Sequence, residues 1–159
     1  MRDSATVFTE KEGRPRPCTN FKLRQLTRRV SQAYDQELGK AGLKTTQYSL
    51  LTHVLRLGPV RPGDVARAMT MDASTLTRNL KPLIAAGWLE LGPGSDGRTR
   101  LVSMTAAGRE KRAEAKRRWQ VAQARLEQQL GGERVAALHA LIDESLACLS
   151  PHPRGHDDE

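Results

Sequence analysis

Residues 88–104, WLELGPGSDGRTRLVSM, decide the fold. WLEL and TRLVSM are short runs of strand-forming residues, and the segment between them is rich in turn formers. Positions 92–100 hold three glycines, a proline and two arginines. Asp96-Gly97 is a strong hairpin signal, because glycine accepts the positive φ that tight hairpin turns require. The segment therefore reads as two strands joined by a hairpin. A turn alone does not call for Arg98 and Arg100. Either their charge solvates the hairpin tip or the hairpin reaches for an anion.

Upstream, Asp72 or Ala73 opens a helix, ASTLTRNLKPLIAAG, that Gly87 ends. Leu76, Leu80, Leu83 and Ile84 fall at i, i+4, i+7 and i+8, one apolar stripe. Ser74, Thr75, Thr77, Arg78 and Lys81 lie off that stripe. Pro82 is the anomaly, since a proline inside a helix forfeits a hydrogen bond and crowds the previous turn, normally at ~3 kcal/mol or with a kink. Before this helix comes a short one, with Pro62 at its first position and Asp64 in its first turn. Earlier still, Thr45 or Thr46 starts a helix that stops at Gly58-Pro59. A first helix runs from Thr19 to about Leu38, with Leu23, Leu26, Val30, Ala33, Tyr34 and Leu38 at helical spacing. After the hairpin, Thr105 caps a long helix, densely charged at first and then striped by Trp119, Ala122, Leu126 and Leu130. Gly131-Gly132 interrupts it. A last helix, about 133–149, carries Val135, Leu138, Leu141, Ile142, Leu146 and Leu149. Two helices joined by a tight turn and followed by a β-hairpin describe a winged helix-turn-helix. The expected fold is thus mainly α with a small β-hairpin wing, flanked by N- and C-terminal helices.

The chain has 159 residues, about one domain, with only 38% hydrophobic and 4% aromatic residues. That core is thin, and burial against a partner could add to it. Net charge is +8 and the isoelectric point about 10.1. The last nine residues hold one arginine against three acids, leaving +10 on the remainder. Such an excess points to a polyanion. No run approaches the ~18 apolar residues of a membrane span, and no signal-peptide core is present. Cys18 and Cys148 form no disulfide framework, so a reducing cytoplasm is expected. His53, His139, His152 and His156 show no ligand spacing with the cysteines, so no metal site is expected. GPGSDGR lacks the Gly-Lys-Ser/Thr ending of a phosphate-binding loop, and no catalytic pair stands out. Neither an enzyme nor a cofactor is expected.

TTQYSLL (45–51), DVARAMTMDASTLTRNLKPLIAAGWLE (64–90), SDGRTRLVSMTAAG (95–108) and LGGERVAALHALI (130–142), taken in register, resemble the MarR family of bacterial winged-helix regulators. The matching features are the STLTR helix ending in glycine, the Asp-x-Arg of the hairpin and the T-x-x-G that starts the following helix. The resemblance covers about residues 18–149. It implies a regulator of transcription, most often a repressor, that binds double-stranded DNA. Ser74, Thr75, Thr77, Arg78 and Lys81 would then serve the major groove. Arg98 would meet the minor groove with Asp96 holding the loop, and Arg100 would contact phosphate. Electrostatics agrees, because narrow minor grooves focus negative potential and attract arginine.

The resemblance also implies a homodimer on a pseudo-palindromic operator. Leu23, Leu26, Trp119, Leu126, Leu138, Leu141, Ile142, Leu146 and Leu149 have the spacing to face a partner copy. The layout that follows is an N-terminal arm (1–17), a helical dimerisation region (18–42 and 105–149), a winged helix-turn-helix (43–104) and a C-terminal tail (150–159). Family members usually release DNA when a small aromatic or anionic effector enters a cleft by the first two helices. Arg24, Arg28, Tyr34, Tyr48 and His53 are the residues here that could line one, although Tyr48 in its apolar stretch also reads as core. Two alternatives stand beside this reading. One is a thiol switch: Cys18 lies just ahead of the first helix with Arg16 and Lys22 nearby, a setting that generally favours thiolate chemistry. The family's hydroperoxide regulators place a reactive cysteine there, but PCTNFKLRQLTRRV lacks the rest of their pattern. The other is a winged-helix module that binds protein. Cys148, in the apolar last helix, reads as a small buried hydrophobe.

Overall fold

The structure, a computed structural model, describes residues 17–149. The arm and tail expected from the sequence lie outside these residues, apart from Pro17. Six helices and one hairpin follow in the order α1 (Thr19–Leu38), α2 (Thr45–Leu57), α3 (Pro62–Ala68), α4 (Ala73–Ala85), β1 (Leu89–Pro93), β2 (Arg100–Met104), α5 (Ala106–Leu130) and α6 (Gly132–Leu149). A single 3-10 turn, Gly39–Ala41, joins α1 to the α2 approach. The fold is the expected one, mainly helical with a two-stranded antiparallel sheet in which Leu89 faces Met104 and Pro93 faces Arg100.

Local chemistry accounts for the boundaries. Asp35 on α1 accepts from the Thr45 N–H (2.7 Å) and hydroxyl (2.6 Å), so the first orphan donor of α2 is met by another helix. Pro62 takes the N-terminal turn of α3, where its missing N–H costs nothing. Two helix ends use the same pair of bonds. At the end of α3, Thr70 N–H reaches the Arg67 carbonyl (3.1 Å) and Met71 N–H that of Ala66 (2.9 Å). At the end of α4, Gly87 N–H reaches Ile84 (2.9 Å) and Trp88 N–H reaches Leu83 (3.0 Å). This arrangement needs a left-handed residue, which glycine supplies at 87 (φ 75°). At 70 a threonine adopts it (φ 51°), against the preference of a β-branched side chain.

The core is built where the helix-turn-helix, the hairpin and α5 meet. Leu50, Leu51 and Val54 from α2, Leu76, Leu80 and Leu83 from α4, and Leu89 and Val102 from the hairpin are buried together with Leu38 and Ala115. The apolar stripe expected on α4 is therefore the core stripe. α1 packs along α5. Between them lies one buried acid, Glu37, 1% exposed. Its Oε1 accepts from Lys40 Nζ (2.8 Å) and Arg125 Nη1 (2.5 Å). The Lys40 hydrogen bond, and then the Arg125 charge, hold this carboxyl below its ordinary range despite burial. Tyr34 Oη donates to Gln123 Oε1, and Lys111 Nζ donates to the Ala41 carbonyl (3.1 Å), fastening α5 to the first helix and its turn.

Of α6, only Val135 is buried. Cys148 therefore corrects the sequence expectation: it is exposed, as is Cys18. The apolar character of the last helix does not translate into burial within one chain, because beyond its first turns α6 has little of its own chain to pack on.

Candidate nucleic-acid interface

Asp72 organises the start of α4. Its Oδ1 accepts from the Ser74 hydroxyl (2.6 Å) and from the Thr75 N–H (2.7 Å), while Oδ2 accepts from the Thr75 hydroxyl (2.6 Å). A side-chain carboxylate on an N-terminal amide is the preferred helix cap. The Ser74 and Thr75 hydroxyls and the Thr75 amide together hold the Asp72 carboxyl far below the usual carboxylate range. One turn on, Thr77 Oγ1 donates back to the Ala73 carbonyl (2.8 Å). Ser74, Thr77, Arg78 and Lys81 are exposed, and Thr75 is half-buried. Neither Arg78 nor Lys81 makes a side-chain hydrogen bond or ion pair among the described residues. α4 continues through Pro82 to Ala85 without a break. What proline removes is the ladder bond to the carbonyl of Arg78, on the exposed side.

The hairpin loop is held by a second aspartate. Asp96 Oδ1 accepts from the N–H groups of Arg98 (3.1 Å) and Thr99 (2.7 Å), and Oδ2 from the Thr99 hydroxyl (2.5 Å). The Thr99 hydroxyl first, then the Thr99 and Arg98 amides and the charge of Arg61, lower its carboxyl pKa. Gly94 N–H bonds the Thr99 carbonyl (2.6 Å), and Gly97 turns the chain at φ 67°. At Gly94 a Cβ would meet Thr99 Cβ at 3.2 Å, so a side chain there would push against the loop closure. The Arg98 side chain is left exposed on this rigid tip with no hydrogen-bond partner among the described residues. Arg100 differs: its Nη2 donates across the hairpin to the Leu91 carbonyl (3.2 Å), bracing the strands.

Two further contacts seat the hairpin on the body. Val60 and Val102 exchange both backbone bonds, Val60 N–H to Val102 (3.0 Å) and Val102 N–H to Val60 (2.8 Å). Arg61, next along the chain and exposed, thereby stands by the wing, close enough for its charge to act on Asp96. Sequence reading passed over Arg61, because the contact that brings it there is a single bridge with no periodicity to reveal it. On the far side, Thr105 Oγ1 donates to the Gly87 carbonyl (2.6 Å) and accepts the Gly108 N–H (3.0 Å). A Cβ on Gly108 would lie 2.0 Å from the Trp88 carbonyl oxygen and 2.6 Å from Met104 Sδ. The T-x-x-G pattern is thus the joint that locks α5 against the root of the wing.

The remaining candidates are dispersed. Tyr34 and Tyr48 are buried and flank Trp119, with ring centroids 6.4 and 6.2 Å away. Arg112 lies over the Tyr48 ring at 5.9 Å. His53 is half-buried with Nδ1 2.8 Å from the Ser49 carbonyl. Arg24 and Arg28 instead border an open hollow on α1 with Leu23 and Asp35, and neither tyrosine nor His53 lines it. Trp119 and Leu126 pack against their own chain's core. Leu138 is half-buried, whereas Leu23, Leu26, Leu141, Ile142, Leu146 and Leu149 are exposed, as is Phe21. No trio of metal-ligating side chains occurs among the described residues, and no described helix is long and apolar enough to cross a membrane.

Comparison with known proteins agrees with this geometry. A family model described as MarR family matches residues 41–99, the helix-turn-helix and most of the wing. The chain is 28% identical over 89 residues to an uncharacterized HTH-type transcriptional regulator, YwoH, of Bacillus subtilis (strain 168). That match takes in 56% of this chain and spans 65% of the length of that relative. Among solved structures, the M. tuberculosis transcriptional regulator MosR in complex with DNA is 29% identical, with a TM-score of 0.69 over 84% of this chain and 99% of that one. A probable transcriptional regulator from Pseudomonas aeruginosa is 25% identical, with a TM-score of 0.74 over 79% and 95%. A mutant E. coli MarR complexed with operator DNA shares the fold at a TM-score of 0.74, with 21% identity over 80% and 92%. Residues 41–99, the helix-turn-helix and most of the wing, thus match the MarR family, and the fold around them is similar to that of solved transcriptional regulators.

Proposed function

We propose that this protein binds double-stranded DNA sequence-specifically in the cytoplasm, as a homodimeric repressor on a pseudo-palindromic operator, released by a small aromatic or anionic effector. The observation that carries the reading is the wing: Asp96 ties down the loop by three hydrogen bonds and leaves Arg98 exposed at its tip. An arginine held on a rigid, narrow hairpin suits the electronegative minor groove. Arg78 and Lys81 on the exposed side of α4 and the net charge of +8 favour the same polyanion. MosR and E. coli MarR, which share the fold, were solved on DNA.

The exposed leucines and Ile142 of α1 and α6 support the homodimer, since a soluble chain rarely leaves so many large apolar side chains in water without a partner surface. Two-fold symmetry would set two copies of α4 about 34–36 Å apart, one turn of DNA. Arg24 and Arg28 beside Leu23 in the α1 hollow favour an anionic, partly apolar effector. A second reading rests on Cys18, exposed at the N-cap of α1, as an oxidisable switch.

Fluorescence anisotropy with the DNA flanking its own coding region, at ~150 mM salt with excess nonspecific competitor, tests the reading. Competitor-resistant binding is expected, and Arg98→Ala should weaken it about tenfold with the fold and dimer intact. Wild-type affinity in that variant would overturn the wing assignment, and binding abolished by competitor would overturn sequence specificity. Phenolic acids and peroxide, added to the bound complex of wild type and Cys18→Ser, separate the effector from the thiol switch.

A further inference from the structure

The hydrogen-bond polarity of α4 narrows what its exposed side can read. A serine or threonine hydroxyl has one proton to donate. Ser74 uses it on Asp72 Oδ1 (2.6 Å), Thr75 on Asp72 Oδ2 (2.6 Å) and Thr77 on the Ala73 carbonyl (2.8 Å). Carboxylate and carbonyl oxygens only accept, so each hydroxyl must be the donor. What remains on all three is lone pairs. Further along, Arg78 and Lys81 can only donate. The outward side of α4 is therefore divided by chemistry, with acceptors on its first turns and donors beyond them.

Phosphate oxygens are acceptors too. They gain nothing from hydroxyls held this way, and the Asp72 carboxylate beside them repels phosphate. In the major groove the groups that complement an acceptor are the exocyclic amines, N6 of adenine and N4 of cytosine; guanine and thymine present O6, N7 and O4, which suit arginine or lysine. We propose that Ser74, Thr75 and Thr77 read exocyclic amino groups of adenine or cytosine in the major groove, with Asp72 as the positioning residue that sets their polarity.

This inference rests on α4 entering the major groove, as in the function proposed above. Its test begins with duplexes that the full-length wild-type protein selects from a randomised library. In a selected duplex each adenine is replaced in turn by purine, and each cytosine by 2-pyrimidinone, which deletes only the amino group. At one or more positions the wild type should lose about tenfold in affinity. Ser74→Ala, Thr75→Val or Thr77→Val should show that loss on the natural duplex and no further loss on the analogue. Asp72→Asn retains a capping oxygen but turns one partner into a donor, freeing a hydroxyl proton. Preference at the same position should then move toward thymine or guanine, with the thermal midpoint serving as a check on folding.

An amino-deletion penalty that persists unchanged in all three hydroxyl variants overturns the inference. So does an equal loss in those variants on selected and random DNA, which would mark phosphate contacts. Selection of no duplex by the wild type would overturn the proposed function itself. Selected duplexes bound without any amino dependence would defeat only this inference.

Discussion

Asp96 and Asp72 occupy equivalent local roles in different elements. Each is a carboxylate that collects hydroxyl and amide donors from residues two and three positions ahead, and each lies next to a group poised outward. Charge-assisted bonds of this kind are short and directional, so they restrict geometry rather than add much affinity. Arg98 depends on that restriction, because its guanidinium has no partner among the described residues to hold it. Arg61 is the cation that the fold adds to the wing. Arg61→Ala should weaken binding about equally on specific and random DNA and lower the salt slope by about one, the behaviour of a phosphate contact. A changed base preference in a binding titration across salt concentrations would contradict this. Arg98 and the hydroxyl row of α4 were readable as candidates from residue type and spacing. The direction in which each hydroxyl donates was not, because it depends on which acceptor lies within 3 Å.

At the scale of elements, two joints set the angle at which α4 and the wing are presented. The first is the turn between α3 and α4, where Thr70 holds a left-handed conformation that costs a threonine about 1–2 kcal/mol. Asparagine tolerates that region, so Thr70→Asn should raise the unfolding midpoint by a few degrees at fixed protein concentration. An unchanged or lowered midpoint in a calorimetric scan would show that the threonine side chain contributes more than its backbone costs. The second joint is Gly108 against the Trp88 carbonyl. Gly108→Ala forces a carbon to within 2.0 Å of backbone oxygen, which no rotamer change can relieve. Thermal unfolding should show a loss of ~2–3 kcal/mol or more, and DNA affinity should fall with it because the wing root must shift. The T-x-x-G and Asp-x-Arg patterns were visible in sequence, and so was the helix stop at Gly87. The strain at Thr70 was invisible there, since nothing in its neighbours distinguishes it from an ordinary helical threonine.

For the whole molecule, the distribution of apolar surface matters more than its amount. The core draws on α1–α5 and the hairpin, whereas α6 contributes one buried residue and leaves Leu141 62% and Leu149 80% exposed. The partner-facing set that the family resemblance implies includes Trp119 and Leu126 beside these leucines. Within the chain, Trp119 packs between Tyr34 and Tyr48, because α5 passes over α1 and α2. In the proposed homodimer, Leu23→Glu combined with Leu141→Arg should leave monomers in sedimentation velocity, with affinity for a two-half-site duplex falling at least a hundredfold as the second copy of α4 is lost. A dimer that persists in that variant would place the contact elsewhere.

The order of elements, the core stripe of α4, both aspartate-anchored turns and the basic surplus were all determined by local sequence. Helical period, capping chemistry and turn propensity act over a few residues and need no knowledge of distant partners. Only the tertiary structure decided that Arg61 joins the wing, that Glu37 is buried between Lys40 and Arg125, that Trp119 turns inward and that Cys148 stays exposed. Each of these depends on which surfaces meet across long stretches of chain, and an amphipathic pattern says that a face will be covered without saying by what.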